Sequence, residues 1–421
     1  MSYLPNRFTL ADGPNLDAFS RLRVSNPFTQ FDSTFQYAPA TFANQLSWDV
    51  STTGGSASVQ ANQCSVRIST GAVTAANEAT IQSKKYSLYQ PGKSRLVLFT
   101  FACSAAVTNS RFEIGYADAE NGILFQRITG ASVTTNYITR RTKTSGSVVD
   151  TGANAVAQAN WNLDTLDGNG RSGLTIDFTK TNILVIDLQF LGVGRVRVGF
   201  DIDGGIVYAH EFDNANSLTV VYMSTGSLPV RARVVNTGTS SGTLTADIIC
   251  TSVISEGGFE GSRANQFSAG NGVTAISTTT TLKPLVTIRP IATFNSVTFR
   301  GHIVPLLAQI SVTAQIHEYQ LVRNATLTGA SFGAADATYS AAQFDVSSSA
   351  MSGGVSLDRG YVIAGGSGAN AYSTVGSGNI FSDDPLVQTS LGNVLETLTL
   401  GVRAVTSTGT AYGSLTWQER Y

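Results

Sequence analysis

The sequence predicts an all-β fold of antiparallel sandwich or jelly-roll domains preceded by an extended N-terminal arm. Over most of its 421 residues the apolar positions recur at two, the period of a half-buried strand. Turn signals built on Gly, Asn and Asp separate these runs at spacings of about 8–12 residues, as in sandwiches and jelly rolls. The stretch Ile183–Phe212 condenses both observations. Ile183–Leu191 is almost continuously apolar, as a strand covered on both faces would be. Gly192 and Gly194 allow the chain to reverse, and Val196, Val198 and Phe200 then alternate with Arg195, Arg197 and Gly199. Asp203-Gly204-Gly205 turns it again into a third strand, Ile206–Phe212. No repeat of fixed period is present, which argues against solenoids and propellers.

Residues 1–40 break the pattern. Prolines and aromatics (Tyr3, Pro5, Phe8, Pro14, Phe19, Pro27, Phe28, Phe31, Phe35, Tyr37, Pro39) are scattered without period. So aromatic a segment is expected to lie along another surface, burying its rings at roughly 25 cal/mol per Å². One or two helical turns are predicted over Asn15–Leu22, starting near Asp12 or Asn15. The core domain, residues 41–256, is predicted to hold strands at Cys64–Thr70, Ala79–Tyr89, Ser94–Ala102, Arg111–Tyr116, Ile123–Ile128 and Ser132–Thr142. Asn121-Gly122 marks a hairpin turn, and Trp161–Gly173 reads as a long loop. Further strands are expected at Leu218–Met223, Pro229–Asn236 and Leu244–Ile254. Residues 257–272, rich in glycine and polar residues, read as a linker. A second β-domain, residues 273–421, is expected to contain Leu285–Pro290, Ser296–Arg300, Ile310–Arg323 and Val394–Val405, with Ser414–Arg420 closing a final hairpin around Thr408–Thr410. Gly353–Ser382, rich in Gly and Ser, reads as a loop.

Composition narrows the function classes. Charged residues make up 13% of the chain, against roughly 25% in ordinary soluble domains. The net charge of −1 supplies no basic surplus for nucleic acid. A surface made of Ser, Thr, Asn, Gln, Ala and Gly costs little to desolvate and suits permanent packing against neighbours. Cys64, Cys103 and Cys250 are widely spaced and odd in number, and read as free thiols in a reducing cytoplasm. The N-terminal residues MSYLPNRFTLADG have no signal-peptide apolar run, and no stretch reaches the ~18 apolar residues of a membrane helix. No membrane partner is expected.

Catalysis finds no constellation. Gly92-Lys93-Ser94 lacks the earlier glycine of a phosphate loop, since Ser87 stands there. Asp201 and Asp203, and likewise Asp164 and Asp167, read as turn aspartates: neither pair carries the glycine and glutamate of a calcium loop. His210, His302 and His317 read as hydrogen-bonded strand residues, and GxSxG is absent. The clusters Arg140/Arg141 with Lys143, Arg195/Arg197 and Arg231/Arg233 are expected in salt bridges to a neighbouring chain. No enzyme activity and no cofactor are expected.

The block Leu16-Asp-Ala-Phe-Ser-Arg21-Leu-Arg23-Val-Ser25-Asn-Pro27, followed by Phe31-Asp32-Ser33, resembles the opening of a family of tailed-bacteriophage virion structural proteins found in large myophages and cyanophages. Later blocks extend the resemblance: Pro91-Gly92-Lys93-Ser94, Ile114-Gly115-Tyr116, Trp161-Asn162-Leu163-Asp164, Gly192-Val193-Gly194-Arg195-Val196-Arg197, His210-Glu211-Phe212, and Val253-Ile254-Ser255-Glu256-Gly257-Gly258. It covers residues 16 to 258, with only the Trp417-Gln-Glu419 ending beyond. The resemblance implies virion membership and little about position or catalysis. The chain is expected to be a non-enzymatic virion subunit made in the host bacterial cytoplasm, with the tail, neck or fibre-attachment region favoured. The expected partners are other virion proteins and copies of the chain itself, a homotrimer being favoured. The N-terminal arm would dock on a neighbour through Phe19, Arg21, Arg23, Pro27, Phe31 and Asp32. Two alternatives stay open: a capsid-surface decoration or cement protein, and a host-glycan-binding module in which Trp161 stacks on a sugar while Asp164 and Asp167 hold its hydroxyls.

Overall fold

The computed structural model describes residues 15–18, 20–39, 42, 47–258, 264–313, 315–363, 371–375, 385–389, 391 and 394–421. The chain divides into two compact units, Met1–Phe259 and Glu260–Tyr421. Each is built from antiparallel sheets around its own apolar core. The all-β prediction is met.

In the first unit the strands are β1 (Pro27–Thr34), β2 (Trp48–Thr53), β3 (Ser56–Gln60), β4 (Ser65–Ser69), β5 (Glu78–Ser83), β6 (Arg95–Cys103), β7 (Ser110–Ala117), β8 (Gly122–Thr129), β9 (Thr134–Arg141), β10 (Ala155–Ala157), β11 (Asn182–Leu188), β12 (Val196–Ile202), β13 (Gly205–Phe212), β14 (Val230–Asn236) and β15 (Thr245–Glu256). One sheet has eight strands in the order β13-β12-β11-β6-β15-β4-β3, with β1 also paired to β15. The other has seven, in the order β10-β9-β8-β7-β14-β5-β2. Alternation decides which side chains meet between them. Phe99, Phe101, Leu184, Ile186, Val198 and Phe200 from the first sheet pack with Ile81, Phe112, Ile114, Phe125, Ala232 and Val234 from the second. The rings of Phe125, Phe178 and Phe200 cluster at centroid distances of 4.6–5.5 Å, a spacing that favours offset and edge-on contact.

The second unit pairs a five-stranded with a six-stranded sheet and adds two short ribbons. Gly409–Arg420 is central to the five-stranded sheet, between Asn265–Gly270 and His302–Thr313. Trp417 is fully buried there and its indole donates to Glu419, whose carboxylate also accepts from Ser340 and the Ala341 amide.

Several expectations are corrected. Over residues 20–39 the predicted arm is part of the first unit. β1 pairs with β15 from Pro27↔Glu256 to Thr34↔Cys250, and Phe31 and Phe35 are buried in the core beside Trp48. The scattered aromatics hid a strand because a register shift between Thr29 and Phe31 breaks the alternation. In place of helical turns, Leu16 bridges Leu22, with Ser20 in a left-handed conformation at φ 61°. The predicted strand Leu218–Met223 is irregular backbone with bends. The expected linker contains a strand, Asn265–Gly270. Ile310–Arg323 is two strands, and Leu398–Ala404 and Gly409–Arg420 lie in different sheets, so no final hairpin closes there. Within the predicted loop Gly353–Ser382, Val355–Ile363 and Ala371–Val375 are strands. The salt bridges of Arg141, Arg195, Arg197 and Arg233, expected to reach a neighbouring chain, are within this one.

Candidate functional site

The resemblance blocks are far apart in sequence, yet several meet at one place, the outer face of the eight-stranded sheet. On β11, Leu184, Ile186 and Leu188 face the core, so Val185 and Asp187 must face outward. Both are nevertheless fully buried. Residues 15–18 and 20–25 cross this face, where Arg23 reaches Asp187 and the Leu16 carbonyl reaches Arg197. The segment turns tightly on itself: the Asp17 amide donates to the Arg21 carbonyl at 2.8 Å, and the Arg23 amide to the Asn15 carbonyl at 3.0 Å.

Asp187 is the node. Its Oδ2 accepts from Arg23 Nη2 at 2.5 Å, Arg197 Nη2 at 2.6 Å and Tyr208 Oη at 3.1 Å. Register places Arg197 directly opposite Asp187 on β12, while Tyr208, opposite Gly199 on β13, reaches Asp187 diagonally past a register shift. The Arg197 guanidinium lies over the Tyr208 ring, 4.3 Å from its centroid. Arg23 also binds Glu256, whose other oxygen accepts from Ser25 at 2.6 Å. Arg197 Nη2 donates to the Leu16 carbonyl at 2.7 Å, and Arg195 donates to the Ala18 carbonyl at 3.0 Å while pairing with Glu211 at 3.3 Å. Arg21 is held by Asp17 and donates to the Gly92 carbonyl at 3.2 Å. The LRVS, PGKS, GVGRVR, HEF and ISEGG blocks therefore all contribute to one set of contacts.

Electrostatics suit a fixed joint. Burial alone would lower the Arg23 pKa, but the charges of Asp187 and Glu256 more than offset it and raise it above the ordinary arginine value. Burial pushes the Tyr208 hydroxyl up, and the Asp187 charge adds to the effect. Gly194 is required in the turn feeding Arg195 and Arg197: a Cβ there would stand 1.9 Å from the Gln189 carbonyl oxygen. Leu16 and Ala18 are buried, but four apolar side chains between residues 20 and 39 face solvent. Leu22 is 54% exposed, Val24 85%, Phe28 42% and Tyr37 90%.

The structure places the predicted docking residues on their own chain. Arg21 and Arg23 join the joint just described, Phe31 lies in the core, and Pro27 and Asp32 are exposed on β1. Phe19 lies outside the described residues. Sequence reasoning missed Asp187, Arg197 and Glu256 as partners of Arg23; an aspartate inside an apolar run, LVIDL, was the available signal.

The predicted glycan contact is overturned. Trp161 is 4% exposed, its indole donates to the Val156 carbonyl at 3.1 Å, and its ring packs against Phe200. Asp164 is buried and accepts from the amides of Leu166 and Ser172 at 2.9 and 2.6 Å. Asp167 is exposed and organises its own turn with Thr165 and Asn169. A residue packed inside cannot stack on a sugar. His210 accepts from the Asn162 amide at 3.3 Å, and burial lowers its pKa to about 4. His317 bonds Thr278 at 2.8 Å. Among the described residues no group of His, Cys, Asp and Glu could hold a metal ion, and no helix is long and apolar enough to cross a membrane.

No family model and no curated protein matches the chain. Solved structures with some similarity include one concerning endo-acting O-glycanases of the human gut microbiota, at 12% identity over 54% of this chain and 99% of that one, with a TM-score of 0.36. Another is the CBM2 module of an evolved Dit of Lactobacillus casei BL23 phage J-1, at 11% identity over 56% and 99%, TM-score 0.34. A legume lectin-like domain from Entamoeba histolytica matches at 10% identity over 52% and 95%, TM-score 0.29. Likenesses this distant carry no argument about what the chain binds or does.

Proposed function

We propose that the chain is a non-enzymatic structural subunit of a tailed-phage particle, in its tail, neck or fibre-attachment region. The N-terminal segment serves it as a docking surface fixed to the first unit. The observation that carries this reading is the joint around Asp187. Blocks of the phage-protein resemblance meet there and hold a segment whose Leu22, Val24, Phe28 and Tyr37 stay in water. Burying such side chains against a neighbour gains roughly 1.5–3 kcal/mol apiece, while Arg21 and Arg23 have already lost their freedom to the joint. Docking is then by a preordered edge and not by a free arm.

The test is genetic complementation with Val24→Asp and Tyr37→Asp, separately and together, followed by mass spectrometry of purified particles. Both variants should fold, and the double variant should be missing from particles. Normal incorporation of the double variant overturns the docking surface. Gold-labelled antibody against residues 270–421 then locates the subunit: label at the neck or tail supports the position proposed, label over the head replaces it with a surface decoration, and no label overturns the virion reading.

A further inference from the structure

The outer face of the seven-stranded sheet holds a buried cation with no ion-pair partner among the described residues. Gln82 stands opposite Arg231, Thr80 opposite Arg233, and Glu113 opposite both Arg233 and Gln126. All face away from the core, because Ile81, Ala232, Ile114 and Phe125 alternate with them and lie in it. Glu113 is fully buried and pairs with Arg111, Arg141 and Arg233 at 3.1, 2.8 and 3.4 Å. Arg233 also pairs with Glu78, and Arg141 with Asp150.

Arg231 differs from these three. It is 7% exposed, its Nη1 donates to the neutral Gln82 Oε1 at 2.9 Å, and its Nε has no hydrogen-bond partner. Two more buried polar atoms on the same face, Thr80 Oγ1 and Gln126 Nε2, also have none. Burial lowers the Arg231 pKa; Glu113 and Asp118 oppose this only as distant charges, while Arg141 and Arg233 add to it. A guanidinium does not escape burial by losing its proton, and a buried charge is costly unless paired and hydrogen-bonded. Its planar fork of donors fits an oxyanion. The flanking side chains of Arg111 and Arg233 keep 25% and 21% exposure, so solvent reaches the face beside them.

We propose that this face binds an oxyanion, a carboxylate or a phosphate, at Arg231. The site is independent of the docking segment and of the virion reading. Nothing in composition announced it, because the 27 lysines and arginines of the chain are balanced by 28 carboxylates.

The test is thermal unfolding of the full chain and of Arg231→Met in potassium chloride, with sodium phosphate, sodium glucuronate or glucose added at matched ionic strength. Additives stay in the millimolar range, below general salting-out. Phosphate or glucuronate should raise the wild-type melting temperature by several degrees in a saturable way, and glucose should not. Which anion acts separates a phosphate source from a sugar-acid carboxylate. Arg231→Met should melt at or above the wild type in chloride alone, since it removes an unpaired buried charge, and should lose the anion-dependent rise. Failure of both anions to shift the wild type, read also by titration calorimetry so that the result does not rest on the variant folding, overturns the site. So does a rise that survives in Arg231→Met.

Discussion

The two sheets of the first unit bury charge on their outer faces in different ways. On the eight-stranded sheet, Asp187 takes one cation from the sheet, Arg197, and one from the segment crossing it, Arg23. Glu256 and Glu211 supply further carboxylates to Arg23 and Arg195. On the seven-stranded sheet, Arg111, Arg141, Arg231 and Arg233 all come from strands of that sheet, and Glu113 is shared by three of them. The first face is closed by the chain's own N-terminal residues. The second leaves Arg231 for something else. A sandwich fixes which residues face outward, but whether those residues end as a joint or as a site depends on what crosses them.

The largest effect should follow from Asp187→Asn. It leaves Arg23 and Arg197 buried without their common carboxylate, and about 3–5 kcal/mol of stability should be lost, read as a lower urea midpoint. A variant within 1 kcal/mol of the wild type would mean that the joint is not buried as described. Glu113→Gln probes the other face and should cost about 3 kcal/mol at neutral pH. Burial alone would raise the Glu113 pKa, but Arg141, Arg111 and Arg233 hold it at about 2, against an ordinary 4.5. With the folded value below the unfolded one, this stabilisation is complete above pH 4.5 and is lost as pH falls from there toward 2. Acid titration of stability should therefore be steeper in the wild type than in Glu113→Gln across that window, and equal slopes would break the argument.

Arg23→Met should cost less, about 1–3 kcal/mol, because Asp187 keeps Arg197 and Tyr208. Hydrogen exchange should then show loss of protection at the amides of Asp17 and Arg23 before any change in β11. The smallest effect on stability is expected for Val24→Asp, within about 0.5 kcal/mol at an exposed site, together with weakened incorporation that is lost when Tyr37→Asp is added. A large loss of stability there would mean that Val24 is covered within the chain.

The meander β11–β13 was legible because its strands alternate and its turns carry glycine. Leu218–Met223 misled for the same reason, since a largely apolar run of six can as well be irregular backbone as a strand. Trp161 looked like a ligand contact because a tryptophan in a polar, glycine-rich loop has the composition of a surface site. The fold instead turns it inward against Phe200. Arg21 and Arg23 were recognisable as anchors, but apart from Asp17 beside Arg21 their partners sit some 70 to 230 residues away, beyond any local pattern.

The sequence by itself determined the period of two, the glycine turns and the shortage of charge, and with them an all-β chain. These are local properties, set by backbone conformation and by the cost of burying polar groups. Only the tertiary structure decided that residues 27–34 close onto β15, that Asp187 gathers two arginines, and that Arg231 gathers no carboxylate among the described residues. Pairing of distant strands and charges depends on which faces the packed sheets bring together, and a one-dimensional pattern does not hold that information.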